Sequence, residues 1–350
     1  MKKIAITLFF AIVTQSVIPC STFFINHNGQ MVFGRNYNWV AGTGIVCTNQ
    51  RGLLKTSYKV PDGSSITWTS RYGSITFNQY GKEFPTGGMN EKGLVVELMW
   101  LDETVYPRAD ERPAVGVLQW IQYQLDNCAS IEEVIATDKQ LRITASTSPL
   151  HYLVADANGN AATIEFLQGK LVAHKGNELF FPVLTNSVYA ESVQHAKEAV
   201  QKNEPVEGSG SLERFAKACQ MIQQYKSGQK NTSIIDQSFN ILEAVSQGDY
   251  TRWSIVYDIT NRRVYFRTNA RPTIKSVSFS AFEFSCGQAP LYFNMNQSMR
   301  GEVSHLFRPL KTEMNLEIIR QTSELSKSQV SVPAATQEAM ALYANLIGCK

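Results

Sequence analysis

Three paired blocks of alternating or continuous apolar residues run along the chain, each pair divided by a turn signal. Ser21-Thr22-Phe23-Phe24-Ile25-Asn26 and Met31-Val32-Phe33-Gly34-Arg35-Asn36 flank Asn28-Gly29, a dipeptide that tolerates the positive φ angles of a tight hairpin turn. Tyr152-Leu153-Val154-Ala155-Asp156 and Ala162-Thr163-Ile164-Glu165-Phe166 flank Asn158-Gly159 in the same way. Trp253-Ser254-Ile255-Val256-Tyr257-Asp258 and Arg263-Val264-Tyr265-Phe266-Arg267 flank Thr260-Asn261. Antiparallel pairing is therefore the expected sheet type. Between these blocks the apolar spacing becomes helical. Val117, Trp120, Ile121 and Leu125 share one face, as do Tyr189, Val193, Ala196 and Val200. Two further stripes follow: Phe215, Ala218, Cys219 and Ile222 after Ser211, then Ile235, Phe239, Leu242 and Val245. Ser130-Ile131-Glu132-Glu133 has the capping-box spacing, in which each side chain can satisfy a backbone N–H at the helix start. The stripes read as core faces, and hairpins alternating with helices predict an α+β fold in layers. The Gly/Ser-rich stretch Glu204-Pro205-Val206-Glu207-Gly208-Ser209-Gly210-Ser211 is short enough for a surface loop. One domain over residues 20–350 is expected. Its tail from Pro309 to Lys350, helical over Gln337–Ile347, packs either on a neighbouring copy or on its own core.

Composition narrows the functional classes. Of 350 residues, 43% are apolar and 18% charged, which is enough apolar surface to offset the entropy of folding. The formal net charge is +3, without the clustered Lys and Arg that a nucleic-acid binder uses, so no nucleic-acid partner is expected. At the N-terminus, Met1-Lys2-Lys3 precedes an apolar run over residues 4–13 and then Thr14-Gln15-Ser16. That run is too short for a bilayer, which takes ~20 residues, but suits the apolar core of a secretory signal. Residues 1–19 are expected to be removed as signal and short pro-segment, leaving a periplasmic or secreted protein with no membrane span. The six cysteines, at 20, 47, 128, 219, 286 and 349, form no CxxC pair, and the five histidines have no metal-ligand spacing. No metal and no cofactor is expected. In an exported chain some cysteines can pair, and with Cys20 set aside the odd remainder leaves at least one unpaired.

Cys20 stands where the export signal runs out and admits three readings. It is a half-buried Cys at a strand start, a lipid-modified Cys (for which Val17-Ile18-Pro19 fits poorly), or an N-terminal nucleophile. The last is chemically compact. A thiol has pKa ~8.5, and an α-amine at ~7.7–8.0 lies near operating pH, where a general base is useful. One residue then carries both groups, without a histidine. Pro19 is a poor residue before a signal-peptidase cut. Cleavage after Ser16 would leave Val17-Ile18-Pro19 to be removed, by Cys20 itself among other routes.

Cys20-Ser21-Thr22-Phe23, Phe33-Gly34-Arg35-Asn36-Tyr37-Asn38-Trp39 and Gly88-Met89-Asn90-Glu91-Lys92-Gly93-Leu94 resemble the choloylglycine hydrolase family. Leu184-Thr185-Asn186-Ser187, Ser211-Leu212-Glu213-Arg214-Phe215 and Trp253-Ser254-Ile255-Val256-Tyr257-Asp258 continue the resemblance in order, to about residue 270. Members cut linear amides and include penicillin V acylases and conjugated bile salt hydrolases. The resemblance implies an N-terminal nucleophile hydrolase fold, an αββα sandwich of antiparallel sheets. It implies Cys20 as nucleophile, Arg35 and Arg214 beside it, and oxyanion donors from the Asn186 side chain and the Trp100 backbone N–H. Where the family usually has Asp, in the Gly-Arg-Asn-x-Asp-Trp stretch, this chain has Asn38, which accepts a hydrogen bond but brings no charge.

Each of these residues also has a plainer reading. Arg35 and Arg214 read as ion-pairing arginines, Asn186 as the cap of the helix starting near Tyr189, and Trp100 as core. Their joint occurrence with Cys20 favours the enzymatic one. Trp100 and the export signal resemble the Gram-negative penicillin V acylase-like branch, some of whose members deacylate N-acyl homoserine lactones. The expected substrate is thus a small N-acyl amide. The alternatives are a conjugated bile salt hydrolase and an exported binding protein on an impaired hydrolase scaffold. Members of the family are often tetramers, so a homotetramer is an expectation that no stretch of this sequence marks.

Overall fold

The computed structural model describes residues 19–146, 148–202, 205–228 and 232–350. The basic-apolar leader, up to Ile18, and Glu204 of the Gly/Ser-rich stretch lie outside the described residues. Two sheets form the body. One runs Val183–Leu184, Ser21–His27, Gln30–Asn38, Thr251–Asp258, Arg263–Thr268, Arg271–Ser278 and Gly301–Glu302. The other runs Lys170–Lys175, Ala161–Leu167, Leu150–Ala155, Val95–Trp100, Pro85–Asn90, Ser74–Asn78, Ile45–Asn49, Leu291–Asn294 and Arg308–Pro309. All three expected hairpins are present, and within these two sheets pairing is antiparallel apart from the edge contact of Gly301–Glu302. At the first turn Asn28 and Gly29 have φ of 50° and 75°, the pair of left-handed residues that a two-residue hairpin turn requires.

The helices are α1 (Val117–Asn127), α2 (Ile131–Ala136), α3 (Tyr189–Lys202), α4 (Ser211–Lys226), α5 (Ile234–Ala244), α6 (Thr312–Ser326) and α7 (Ala334–Tyr343). The α1 helix packs on Pro85–Asn90 and Val95–Trp100, whereas α4 and α5 pack on Ser21–His27, Gln30–Asn38 and Thr251–Asp258. The two sheets face each other between these layers, giving the αββα sandwich. Its interior is a continuous cluster that includes Phe23, Phe33, Phe77, Trp120, Tyr152 and Trp253. At α2, Ser130 Oγ accepts from the Glu133 N–H at 3.3 Å, while Glu133 Oε2 reaches back to the N–H of Ala129 rather than that of Ser130.

The tail packs on the body of its own chain. Its last helix, α7, starts three residues before the expected Gln337, and α6, which no stripe marked, pairs with it. Cys286 and Cys349 form a disulfide, and Cys20, Cys47, Cys128 and Cys219 are buried free thiols. Among the described residues no helix is long and apolar enough to cross a membrane.

Candidate active site

The first hairpin delivers two of the expected residues. Cys20 immediately precedes Ser21–His27 and is 2% exposed. On the partner strand, Thr22 pairs with Arg35 and Ser21 with Asn36, so the strand end that carries Asn38 returns beside Cys20. The Cys20 thiol donates to the Asn38 backbone carbonyl at 3.7 Å. The Asn38 side chain is fully buried, and its Nδ2 donates to the carbonyl oxygen of Pro19, the residue just before the nucleophile. Among the described residues its Oδ1 has no partner.

Asn186 arrives from the other edge of Ser21–His27, because Thr22 pairs with Leu184. Its side chain is fixed at both ends: Oδ1 accepts from Arg214 Nη2 at 3.0 Å, and Nδ2 donates to the Trp100 carbonyl at 2.8 Å. Among the described residues the other N–H of this amide has no partner. Arg214, in the first turn of α4, also donates through Nη1 to the Cys20 carbonyl and to Ser21 Oγ at 2.7 Å. Burial lowers its pKa to about 10 despite the charge-favouring neighbourhood of Cys20. A chain of contacts therefore runs Cys20–Arg214–Asn186–Trp100. Asn186 does not cap α3: its Oδ1 is occupied by Arg214, and the N–H of Tyr189 at the helix start goes to Glu165 Oε1 at 3.0 Å. His151 holds the same turn from beneath, with Nε2 at 2.7 Å from the Thr185 carbonyl and Nδ1 at 3.3 Å from Glu165.

Arg35 is within electrostatic reach of Cys20, but its hydrogen bonds go to the facing sheet. Nη1 and Nη2 donate to the carbonyls of Thr86 and Leu98, each at 3.0 Å, and Nη1 is paired with Glu97. Arg35 is thus a positioning residue that pins the two sheets together under the site. Glu97 also accepts from the Tyr257 hydroxyl. Burial pushes its carboxyl up to about 7, against the pull of Arg35. Room for that carboxyl comes from Gly87, where a Cβ would lie 2.0 Å from Glu97 Oε2. Sequence reasoning missed Glu97, Tyr257 and Gly87. The available signal was the Gly87-Gly88 pair inside a strand, which marks a close approach of another group.

A cavity opens above Cys20 with about 760 Å³ of empty space continuous with solvent. Its lining is almost wholly apolar and includes Tyr37, Trp39, Leu98, Trp100, Leu118 and Leu150. Trp100 is half-buried, its ring centroid 6.4 Å from that of Trp39, with its indole N–H on Asp102 at 2.6 Å. Nothing in this set resembles a metal centre. Among the described residues no group of three or more His, Cys, Asp or Glu side chains is placed to hold an ion. The arrangement puts a thiol, amide donors and an apolar acyl-sized cavity together, which is equipment for acyl transfer.

The comparisons agree with that chemistry. The chain is 25% identical over 293 residues to a penicillin V acylase of Pectobacterium atrosepticum, covering 70% of this chain and 77% of that one. The solved penicillin V acylase from Agrobacterium tumefaciens superposes with a TM-score of 0.73 at 24% identity, over 83% of this chain and 98% of that one. A variant of the conjugated bile acid hydrolase from Clostridium perfringens superposes with a TM-score of 0.68 at 18% identity, over 80% and 98%. The family model for linear amide C–N hydrolases of the choloylglycine hydrolase family matches residues 20–292, starting on Cys20 itself. The chain belongs to the choloylglycine hydrolase family and is a hydrolase of linear amide C–N bonds.

Proposed function

We propose that the protein is an exported cysteine amidase that matures by removing the residues before Cys20 and then deacylates small N-acyl amides. In maturation, Cys20 Sγ attacks the Pro19 carbonyl carbon, the peptide C–N bond breaks, and the thiol proton goes to the departing nitrogen. Water then hydrolyses the thioester, leaving a Pro19 carboxylate and a free α-amine on Cys20. In turnover the same thiol attacks the substrate amide and the α-amine takes its proton and passes it to the leaving amine. The other side-chain N–H of Asn186 and the backbone N–H of Trp100 receive the oxyanion, and water releases the acyl group. The single observation that carries this reading is that Cys20 and Trp100, which both line the apolar cavity, are joined to each other through Arg214 and Asn186.

For the substrate we infer a penicillin V-type amide or an N-acyl homoserine lactone, whose aryl or alkyl group packs on Trp39 and Trp100. Export is supported by the Cys286–Cys349 disulfide, a bond that persists in oxidising compartments. Light scattering after size-exclusion chromatography tests the homotetramer that the resemblance implies. The main test is intact-mass analysis after mixing with penicillin V, a long-chain N-acyl homoserine lactone or a glycine-conjugated bile salt. A transient acyl adduct on wild type and none on Cys20→Ala is expected with the first two. An adduct from the bile salt alone would move the substrate assignment, and activity in Cys20→Ala would end the mechanism.

A further inference from the structure

The cavity wall farthest along the sequence does not come from the family-matched span. Val330 and Val332, in the segment joining α6 to α7, and Met340 of α7 line the same cavity as Cys20 and Trp100, whereas the family match ends at residue 292. We propose that this C-terminal hairpin is the acyl-length gauge of the enzyme, closing the cavity opposite Cys20 and selecting flexible apolar acyl chains. The inference rests on the amidase reading above and names which part of the acyl group that site measures.

The hairpin is clamped well enough to serve as a wall. Its far end is tied by the Cys286–Cys349 disulfide and by pairing of Gly348–Cys349 with Leu53–Thr56. The Tyr343 hydroxyl donates to the Thr56 carbonyl at 2.6 Å, and Asn315 Nδ2 to the Ala341 carbonyl at 3.2 Å. On the body side, Tyr80, itself a cavity residue, donates to Ser326 Oγ at 3.1 Å. The connecting segment is held by Gln337 Nε2 on the Val332 carbonyl at 2.7 Å. What this wall offers the cavity is two branched aliphatic side chains and a thioether. The set has no charge and no amide, and the unbranched Met340 can adapt to a flexible chain. A straight acyl chain gains with each methylene it lays against such a surface, and a polar or charged group at that depth finds no partner.

The experiment is a kinetic series on the full mature protein with N-acyl homoserine lactones from butanoyl to dodecanoyl, in wild type, Val332→Trp and Met340→Trp. All three side chains of the wall are half-buried, so the larger ring can be placed without filling a sealed core, and the butanoyl rate reports an intact active site. Wild type is expected to gain about fourfold in kcat/KM per added methylene until the chain reaches the wall. In both Trp variants that gain should stop at shorter chains, with dodecanoyl losing at least about tenfold relative to wild type and butanoyl changing less than about twofold. Turnover whose chain-length profile is the same in wild type and both variants overturns this inference alone, as does an equal loss at every length. A wild-type enzyme that turns over no member and forms no acyl adduct overturns the amidase reading, and the inference falls with it.

Discussion

Asn38 is the position at which the chemistry of maturation can be tested most directly. Its Nδ2 donates to the Pro19 carbonyl, the oxygen that becomes an oxyanion when Cys20 attacks. Its Oδ1 is buried without a partner among the described residues, and the α-amine released at Cys20 is a donor of the right kind for it. The same amide thus serves the precursor through its nitrogen and has an oxygen to offer the mature enzyme. Asn38→Ala removes one proposed oxyanion donor, a loss worth about 2.7–4 kcal/mol of transition-state stabilisation, or ~10²–10³ in rate. Asn38→Asp loses the donor and sets a carboxylate against the carbonyl oxygen, so it should process at least as slowly. After maturation the carboxylate favours the ammonium form of the Cys20 α-amine and raises its pKa. Because the neutral amine is the base, the acid limb of the kcat/KM profile then moves to higher pH. The assay refolds purified precursor from denaturant and follows by intact mass the loss of the segment ending at Pro19. Asn38→Ala maturing at the wild-type rate, or full activity with Pro19 still attached, would refute the reasoning.

Other perturbations probe the supports of the site. Asn186→Ala should lower kcat by ~10²–10³ in steady-state assays while the Cys20 acyl adduct, once formed, keeps its mass. Gly87→Ala places a Cβ 2.0 Å from Glu97 Oε2; about 1–3 kcal/mol of overpacking is expected in urea unfolding, together with lost activity as Glu97 is driven off Arg35. Lys55 is fully buried, 2.5 Å from Glu83 and 2.9 Å from Asp126. Lys55→Met removes the cation that the two carboxylates share, leaving Glu83 with Lys82 and Asp126 with Trp68 and Gln122, and should cost about 3–5 kcal/mol. Burial would raise Glu83, but Lys55 and Lys82 hold it down to about 2. Its stabilisation is therefore complete above its ordinary value of 4.5 and lost as pH falls toward 2. The same urea series from pH 5 to pH 2 should show a shallower fall in Lys55→Met than in wild type.

The hairpins and most helices were legible because their signals are local. The stripe Phe215, Ala218, Cys219 and Ile222 is buried as read. The turns were legible in place more than in detail. Asn28 and Gly29 share the left-handed conformation, but in the third hairpin it falls on Arg262, one residue beyond Thr260-Asn261, because Asp258 accepts from the Asn261 backbone and side chain. In the second hairpin Gly159 alone is left-handed, and Asp156 Oδ1 organises the loop through the N–H groups of Asn158 and Asn160. The six candidate site residues stood out in the sequence only as a set. The structure brings Cys20, Asn38, Trp100, Asn186 and Arg214 into contact and turns Arg35 toward the opposite sheet. Glu97 was not legible. It is a single acid in the otherwise apolar strand Val95–Trp100, and its partners Arg35 and Tyr257 are remote in sequence. A buried charge declares itself through its partner, and that pairing exists only once the sheets have closed.

Arg35 and Arg214 show why two arginines at one site are not redundant. Arg214 touches the residue of the proposed nucleophile and the proposed oxyanion donor: the Cys20 carbonyl, Ser21 Oγ and the Asn186 amide. Arg35 touches none of them and spends its donors on Thr86, Glu97 and Leu98 of the facing sheet. Leu98 and Thr86 line the acyl cavity, so Arg35 fixes the distance between the strand that carries the nucleophile and the strand that carries Trp100. A lysine, with a single ammonium, cannot span two carbonyls and a carboxylate in one plane. Arg35→Lys should therefore loosen the spacing between nucleophile and oxyanion donors, whereas Arg214→Lys should free the Asn186 amide itself. The first change is felt through the spacing of the two sheets and the second through direct contact with the proposed oxyanion donor, although both remove the same fork of donors.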